Sequence, residues 1–298
     1  MIEIEEKIID GNKVKKLVLE QLTLEIASLK SKTKHVPGLA VVLVGDNPAS
    51  KAYIGMKKKA CQQIGVQSFE YLMDLGEGQV ALEQLIQSLN KDEKVHGILL
   101  QLPLPKGFDE SKMLSLISPD KDVDGFHPVN VGKLLLGLPT FHSCTPYGIC
   151  ELLERYQIDP TGKHVVIVGR SNIVGKPLSA MLMQKGSFRN ATVTVCHSRS
   201  ENIEAICRSA DILVAAVGIP YYIKEDMVSE DTIIIDVGIN RVDDLGLEKG
   251  YKLVGDVDYE NVFHKARAIT PVPGGVGPLT IAMLMKNTVQ AFKLQENI

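Results

Sequence analysis

The chain has 298 residues, 45% hydrophobic and 23% charged, a globular composition with length for about two domains of ordinary size. Lys plus Arg at 33 against Asp plus Glu at 36 leaves a formal charge of -3, so no global field draws it to nucleic acid or to an anionic membrane. No apolar run approaches the roughly 18 residues of a membrane span, and the start, Met1-Ile2-Glu3-Ile4-Glu5-Glu6, is acidic where a signal peptide is basic and then apolar. The expectation is a cytoplasmic protein without nucleic-acid or membrane partners. Cys61, Cys144, Cys150, Cys196 and Cys207 contain no C-x-x-C and read as buried or idle thiols, not as a disulfide framework or a zinc site. The absence of Trp argues against stacking platforms for single-stranded nucleic acid.

In chain order, apolar runs ending in Gly or Pro mark strands: LAVVLVG to Gly45, VHGILLQLP to Pro103, HVVIVG to Gly169, ATVTVCH to His197, DILVAAVG to Gly218 and TIIIDVG to Gly238. Their continuous hydrophobicity suits a sheet covered on both faces. Amphipathic stretches from Pro48 to Ile64 and from Gln79 to Leu89 supply the strand-helix-strand rhythm of a parallel α/β fold. The rhythm breaks between Ser118 and Thr145, where Pro, Gly, Asp and His concentrate, and the domain junction is placed there. The reading is two α/β domains, residues 1–144 and 145–277, with helices over Pro146–Tyr156 and from Pro278 onward. The second domain reads as complete near Val257, so the last helix, 278–298, is expected to return to the first domain.

After the first strand, Asn47 is an N-cap and Pro48 the first helical residue. Tyr53 and Lys57, four residues apart, share one helix face, with Ala49, Ala52, Met56 and Ala60 as the apolar stripe beside them. A solvated lysine run fits the same letters. Gln101, a polar amide ending an apolar strand, is a ligand candidate or a satisfied buried amide. Asp122 and Asp124 lie in the junction loop, where DKDVDG offers too few oxygen ligands at metal spacing, so no metal is assigned.

In the second half, HVVIVG followed by RSNIVGKPLSAMLMQKG reads as strand, tight turn and helix, the context of a dinucleotide fingerprint. The pattern is Gly169-x-Ser171-x-x-x-Gly175, with Ser171 in place of the usual second Gly. Turn N–H groups suit a pyrophosphate and the Ser171 hydroxyl adds a donor, although a purely structural turn also fits. No acidic residue ends the next strand; Cys196-His197-Ser198-Arg199, with Arg170, suits a 2'-phosphate and favours NADP over NAD. A solvated loop charge is the other reading of Arg199. Val217-Gly218-Ile219-Pro220 and Val237-Gly238-Ile239-Asn240 belong at the carboxyl edge of the same sheet, where their backbone is a candidate lining for the nicotinamide half, although Gly at a strand end is also plain turn chemistry and neither segment is specific alone. The loop ITPVPGGVGPLT, with Gly274, Gly275 and Gly277, lets backbone approach a flat ligand, and a bare, proline-stiffened linker is its other reading.

Together and in order, VGDNPASKAYIGMKKKAC, GILLQLPLP, PDKDVDGFHPVNVG, CTPYGI, GRSNIVGKP, TVTVCHSRS, DVGIN and PVPGGVGPLT resemble the bifunctional methylenetetrahydrofolate dehydrogenase and methenyltetrahydrofolate cyclohydrolase family over nearly the whole chain. The resemblance implies a Rossmann-like NADP-binding second domain, a substrate cleft between the domains and a homodimer. It also implies oxidation of 5,10-methylenetetrahydrofolate and hydrolysis of the product to 10-formyltetrahydrofolate, in one-carbon metabolism. On this resemblance Lys57 matches the catalytic lysine, Tyr53 the aromatic packed on the pterin, Gln101 the glutamine that assists Lys57, and Asp124 the carboxylate that binds the pterin. Pro273, Gly274 and Gly277 fall to the substrate; Gly169, Arg170, Ser171, Gly175, His197, Ser198, Arg199, Ile239 and Thr145 fall to the cofactor. Leu279 stands where the family usually has methionine, a swap of similar volume. Two other readings stay open: an NADP-dependent dehydrogenase of the shikimate type for a small hydroxy acid, and a non-catalytic NADP-binding protein. The joint presence of Tyr53, Lys57, Gln101 and Asp124 argues against the last.

Overall fold

The computed structural model describes residues 2–244, 246–247 and 249–298, and the chain divides into two compact units. The N-terminal unit comprises Lys16–Cys144 with Ile281–Ile298, the C-terminal unit Met1–Lys15 with Thr145–Thr280.

In the N-terminal unit, helix α1 (Gly11–Thr33), which belongs to it from Lys16 onward, leads into a three-stranded parallel sheet of order β2-β1-β3, formed by β1 (Gly38–Val44), β2 (Gln67–Met73) and β3 (Gly97–Leu100). Central β1 is buried at every residue, which is why it reads as an unbroken apolar run. The sequence signal missed β2, an edge strand with polar residues interleaved and only Met73 buried. Helix α2 (Pro48–Ile64) begins where the Asn47 side-chain oxygen accepts from the Ala49 and Ser50 N–H groups, at 3.0 and 3.1 Å. It ends at Gly65, whose φ of 87° closes the helix in the left-handed region. The buried face of α2 is Ile54, Lys57, Ala60, Cys61 and Ile64, whereas Ala49, Ala52 and Met56 of the expected stripe are exposed. Both sets have helical spacing; the one with the isoleucines removes more apolar surface from water and wins. Helices α3 (Gly78–Lys91), α4 (Glu110–Leu116) and α5 (Pro128–Leu135) follow, and Leu82, Ile86, Leu89 and Met113 pack with Val42, Ile98 and Leu100 of the sheet.

The junction loop is built on that sheet. Ile98 N–H donates to Lys121 O at 2.7 Å, and the buried Lys121 ammonium donates to the carbonyls of Leu89 (3.0 Å) and Asp92 (2.7 Å), satisfying the end of α3. Asp122 accepts from His127 N (2.8 Å), Phe126 N (3.2 Å) and Asn130 Nδ2 (2.9 Å). Val123 then packs on Gly97: a Cβ at that glycine would come within 2.6 Å of Val123 Cγ1.

The C-terminal unit continues with α6 (Cys144–Arg155), β4 (His164–Val168), α7 (Gly175–Leu182), β5 (Thr192–Cys196), α8 (Ile203–Arg208), β6 (Ile212–Ala215), β7 (Ile233–Asp236), β8 (Asn240–Asp243), β9 (Tyr251–Val254), α9 (Tyr259–Val262) and β10 (Ala268–Ile269). Five strands form a parallel sheet of order β10-β7-β6-β4-β5, and β8 and β9 an antiparallel pair. The sheet is not complete near Val257, because β10 pairs with β7. Two residues are too short to show a period. The first fifteen residues also group here and not with residues 16–144: Ile9 N–H donates to Ile269 O (2.9 Å), Gly11 N–H to Gly274 O (2.9 Å) and Asp10 N–H to the Tyr156 hydroxyl (2.9 Å). Helix α10 (Gly277–Gln295) ends the chain, and from Ile281 onward it belongs to the N-terminal unit, as expected.

Gly97→Ala is expected to overpack Val123 and to lower stability by about 1–3 kcal/mol. Urea unfolding checks this; an unchanged midpoint would show that Val123 yields at no cost.

Candidate active site

Lys57 lies on the buried face of α2 and is 6% exposed. Its ammonium donates to Gln101 Oε1 at 2.8 Å and sits 5.6 Å from the centroid of the Tyr53 ring. Gln101 follows β3 directly. Its backbone N–H donates to Val42 O (2.9 Å), and its Nε2 donates to Leu102 O (2.8 Å), which turns the amide oxygen to the lysine. Burial holds the Lys57 ammonium below its ordinary pKa of 10.5, while the charge of Asp124 opposes that fall.

Asp124 is half-buried at the end of the loop that Asp122 organises. Burial pushes its carboxyl up to about 6, more than the nearby Lys57 pulls it down. Next comes Gly125 at φ 72°, where a Cβ would come within 2.5 Å of His142 C and Ser143 N. Only glycine allows that approach, and it leads the chain to Cys144, whose buried thiol meets the Asp124 carboxyl and donates to Val123 O at 3.6 Å. Asn287, fully buried on α10, donates to Val123 O (2.8 Å) and His142 O (2.9 Å) and so ties the two flanks of Asp124 together. Cys144, read from sequence as a buried or idle thiol and found buried, and Asn287 are thus parts of this constellation. Position next to Thr145 in CTPYGI was the one available hint for Cys144; nothing local marks Asn287.

In the C-terminal unit the register Val168↔Cys196 sets the Gly169 turn beside the residues that follow β5. Gly169 has φ 132°; a Cβ there would overlap Ala216 O, and one at Gly175 would overlap Gly169 O. These two glycines close the turn tightly, backbone against backbone, at the start of α7. Ser171 Oγ accepts from Val174 N at 3.0 Å and keeps its own proton for a ligand. Beyond β5, His197 N–H donates to Ser200 Oγ (3.0 Å) and His197 Nδ1 accepts from Arg199 N–H (3.2 Å), with Ser198 and Arg199 exposed; Arg170 is exposed too. Ile239, 53% exposed, follows β7. A Cβ on Gly277 would lie 3.0 Å from its Cδ1, so these two candidates adjoin. Pro273, in a cis bond after Val272, and Gly274 at φ 114° belong to this unit as well, and Thr145 is half-buried in the first turn of α6. Tyr53, Lys57, Gln101 and Asp124 are therefore grouped in one unit, and the twelve other sequence candidates in the other. Among the described residues no group of three or more His, Cys, Asp or Glu is placed to hold a metal, and no helix is long and apolar enough to cross a membrane.

Residues 9–124 match the sequence profile of the tetrahydrofolate dehydrogenase/cyclohydrolase catalytic domain, and residues 143–296 that of the NAD(P)-binding domain of the same family. The bifunctional protein FolD of Maridesulfovibrio salexigens is 55% identical over 287 residues, covering 96% of this chain and 98% of that protein. The crystal structure of the bifunctional FolD enzyme, methylenetetrahydrofolate dehydrogenase/cyclohydrolase, of Campylobacter jejuni aligns at TM-score 0.90 and 48% identity over 96% of this chain and 98% of that one. The Trypanosoma brucei methylenetetrahydrofolate dehydrogenase-cyclohydrolase, solved with NADP cofactor and inhibitor, aligns at TM-score 0.92 and 38% identity over 100% of both chains.

The raised carboxyl of Asp124 sets a pH signature. The folded protein holds this proton more tightly than the unfolded chain, so ionising it costs stability as pH rises from 3.8 to about 6. Asp124→Asn should therefore gain on the wild type through that window, by up to about 3 kcal/mol, and keep a constant lead above it. Urea unfolding across pH checks this, and a lead that is flat or shrinks would contradict the burial argument.

Proposed function

This chain belongs to the tetrahydrofolate dehydrogenase/cyclohydrolase family, and from that premise we propose how its own residues carry the two reactions. It oxidises 5,10-methylenetetrahydrofolate with NADP and hydrolyses the 5,10-methenyl product to 10-formyltetrahydrofolate. The observation that carries the assignment of the second step is a buried lysine bonded to the neutral oxygen of Gln101 and not to a carboxylate.

The N-terminal unit is the folate-binding half. The Asp124 carboxylate accepts parallel N–H bonds from the amino-pyrimidinone edge of the pterin, which fixes the ring in one orientation. The half-buried Tyr53 packs its face on the pterin. In hydrolysis, water adds to the bridging carbon of the methenyl cation and gives up a proton to neutral Lys57. Breaking the bond between that carbon and N5 then leaves a formyl group on N10, and N5 takes a proton back through Lys57, so one proton is released overall. Gln101 Oε1 holds the amine in place in both protonation states, since it accepts from either. A lysine with its pKa lowered by burial is suited to such exchange at working pH.

The C-terminal unit is the cofactor half. The glycine turn from Gly169 to Gly175 fits a pyrophosphate, since it leads into the start of α7 and no Cβ intrudes at either glycine. Ser171 adds a hydroxyl, and Arg170, His197, Ser198 and Arg199 offer donors to a 2'-phosphate. Thr145 and Ile239 complete the cofactor set, and Pro273, Gly274 and Gly277 meet the substrate. When bound, NADP takes up the hydride that leaves the one-carbon bridge. The working form is a cytoplasmic homodimer with tetrahydrofolate derivatives as its partners and with neither nucleic acid nor membrane, in keeping with the formal charge of -3.

Supplied with methylenetetrahydrofolate and NADP, the wild type is expected to form reduced cofactor while the methenyl intermediate decays faster than it does uncatalysed. Lys57→Met should lose on the order of a hundredfold or more in methenyl hydrolysis. Near-normal hydrolysis by folded Lys57→Met would remove Lys57 from this role.

A further inference from the structure

Two buried aspartates hold up the ends of β6 and β7. Asp256 is fully buried; its Oδ2 accepts from the N–H groups of Val217 (2.7 Å) and Gly218 (2.8 Å), and its Oδ1 from Asn240 Nδ2 (2.9 Å). Asp236, 2% exposed, accepts from Gly238 N (2.9 Å), Asp256 N (2.9 Å) and Val257 N (3.0 Å). Asp236 therefore fixes the backbone of Asp256, and Asp256 fixes the segments that follow both strands. Gly238 and Gly255 make room for this: a Cβ on the first would overlap Asp256 Oδ1, and one on the second Asp236 Oδ2.

None of the donors to Asp256 is a cation, and Asp256 donates to none of them, the bonding of an ionised carboxylate. Neutral dipoles satisfy its lone pairs but leave its net charge, whose field reaches further in a buried setting than in water. The field has a direction. The Val217 N–H points to Asp256, so the carbonyl of the same planar peptide, Ala216 C=O, points the opposite way, and Ala216 O is the atom that crowds Gly169 at the head of the cofactor turn. The negative ends of these peptides thus face the side on which the cofactor is placed.

We propose that Asp256 is a redox-selectivity residue, whose buried charge, passed on through the Val217–Gly218 peptides and Asn240, makes the site bind oxidised NADP more tightly than NADPH. The oxidised nicotinamide ring is a cation and the reduced ring is neutral, so a fixed negative charge separates them even where shape does not. The inference rests on the reading that the segments after β6 and β7 line the nicotinamide half.

The test is binding without folate, measured on the full chain by calorimetry with oxidised NADP and with NADPH. In the wild type the oxidised form binds more tightly. Asp256→Asn removes the charge while the new amide oxygen still accepts from Val217 and Gly218, and a half-turn of the Asn240 amide restores the third bond. The ratio of the two dissociation constants should then move toward NADPH, on the order of tenfold. A purely structural role would weaken both forms alike. An unchanged ratio in folded Asp256→Asn overturns the proposal, and so does a wild type that binds NADPH as tightly as oxidised NADP, a result that needs no variant to fold. Ile239→Arg tells the two possible failures apart: if the end of β7 lines the nicotinamide, it weakens NADPH but not 2'-phospho-ADP-ribose, which lacks the ring. If it leaves both unchanged, the reading of the site falls too.

Discussion

The bond of 2.8 Å from Lys57 Nζ to Gln101 Oε1 joins helix α2 to the end of strand β3 across the buried face of the N-terminal unit. Much else in that unit serves to keep it. Burying an ammonium costs free energy, and an amide returns less of that cost than a carboxylate would. The lysine stays because Ile54, Cys61 and Ile64 on the same face anchor α2 to the core, and because the Asn47 cap fixes where the helix begins. Gln101, bound by its own backbone to Val42 and by its Nε2 to Leu102, has one orientation to offer. The result is an amine that is positioned but not neutralised, which proton exchange needs and structural stability does not.

Asp124 shows the same economy. Its neighbours Asp122, Asn287 and Gly125 do no chemistry on the substrate in this account; they shape the loop so that a half-buried carboxyl is held close to Lys57 and Cys144. In the C-terminal unit the supports are again carboxylates and glycines: Gly169 and Gly175 pack backbone on backbone, while Asp236 and Asp256 take up N–H groups that the ends of the strands would leave unpaired. Both units use buried charge at the edges of their sheets, where a ligand gains most from a preset field.

The strands of the sheet centres and helix α2 were legible because unbroken apolar runs and the Asn47-Pro48 start are local signals. The tight turn between β4 and α7 was legible for the same reason. What escaped depends on distant partners. The buried face of α2 was misplaced because Ala49, Ala52 and Met56 have helical spacing as good as that of Ile54, Cys61 and Ile64, and only the packed sheet decides between them. Strand β10 and the segment at Ile9 gain their order from each other, and Cys144 and Asn287 gain their roles from a loop more than a hundred residues before α10. Lys57, Gln101 and Asp124 could be named from the family resemblance, but that Lys57 is bonded to an amide and desolvated is a fact of packing.

The central claim is that Lys57 is an amine made available by burial. Selective carbon and nitrogen labelling of lysine, with the resonance assigned by its loss in Lys57→Met, allows its ammonium to be titrated directly by NMR. A midpoint below the ordinary value of 10.5 is expected. A midpoint at or above 10.5 would mean that the lysine serves as a fixed cation, and the proton-exchange role assigned to it would be wrong.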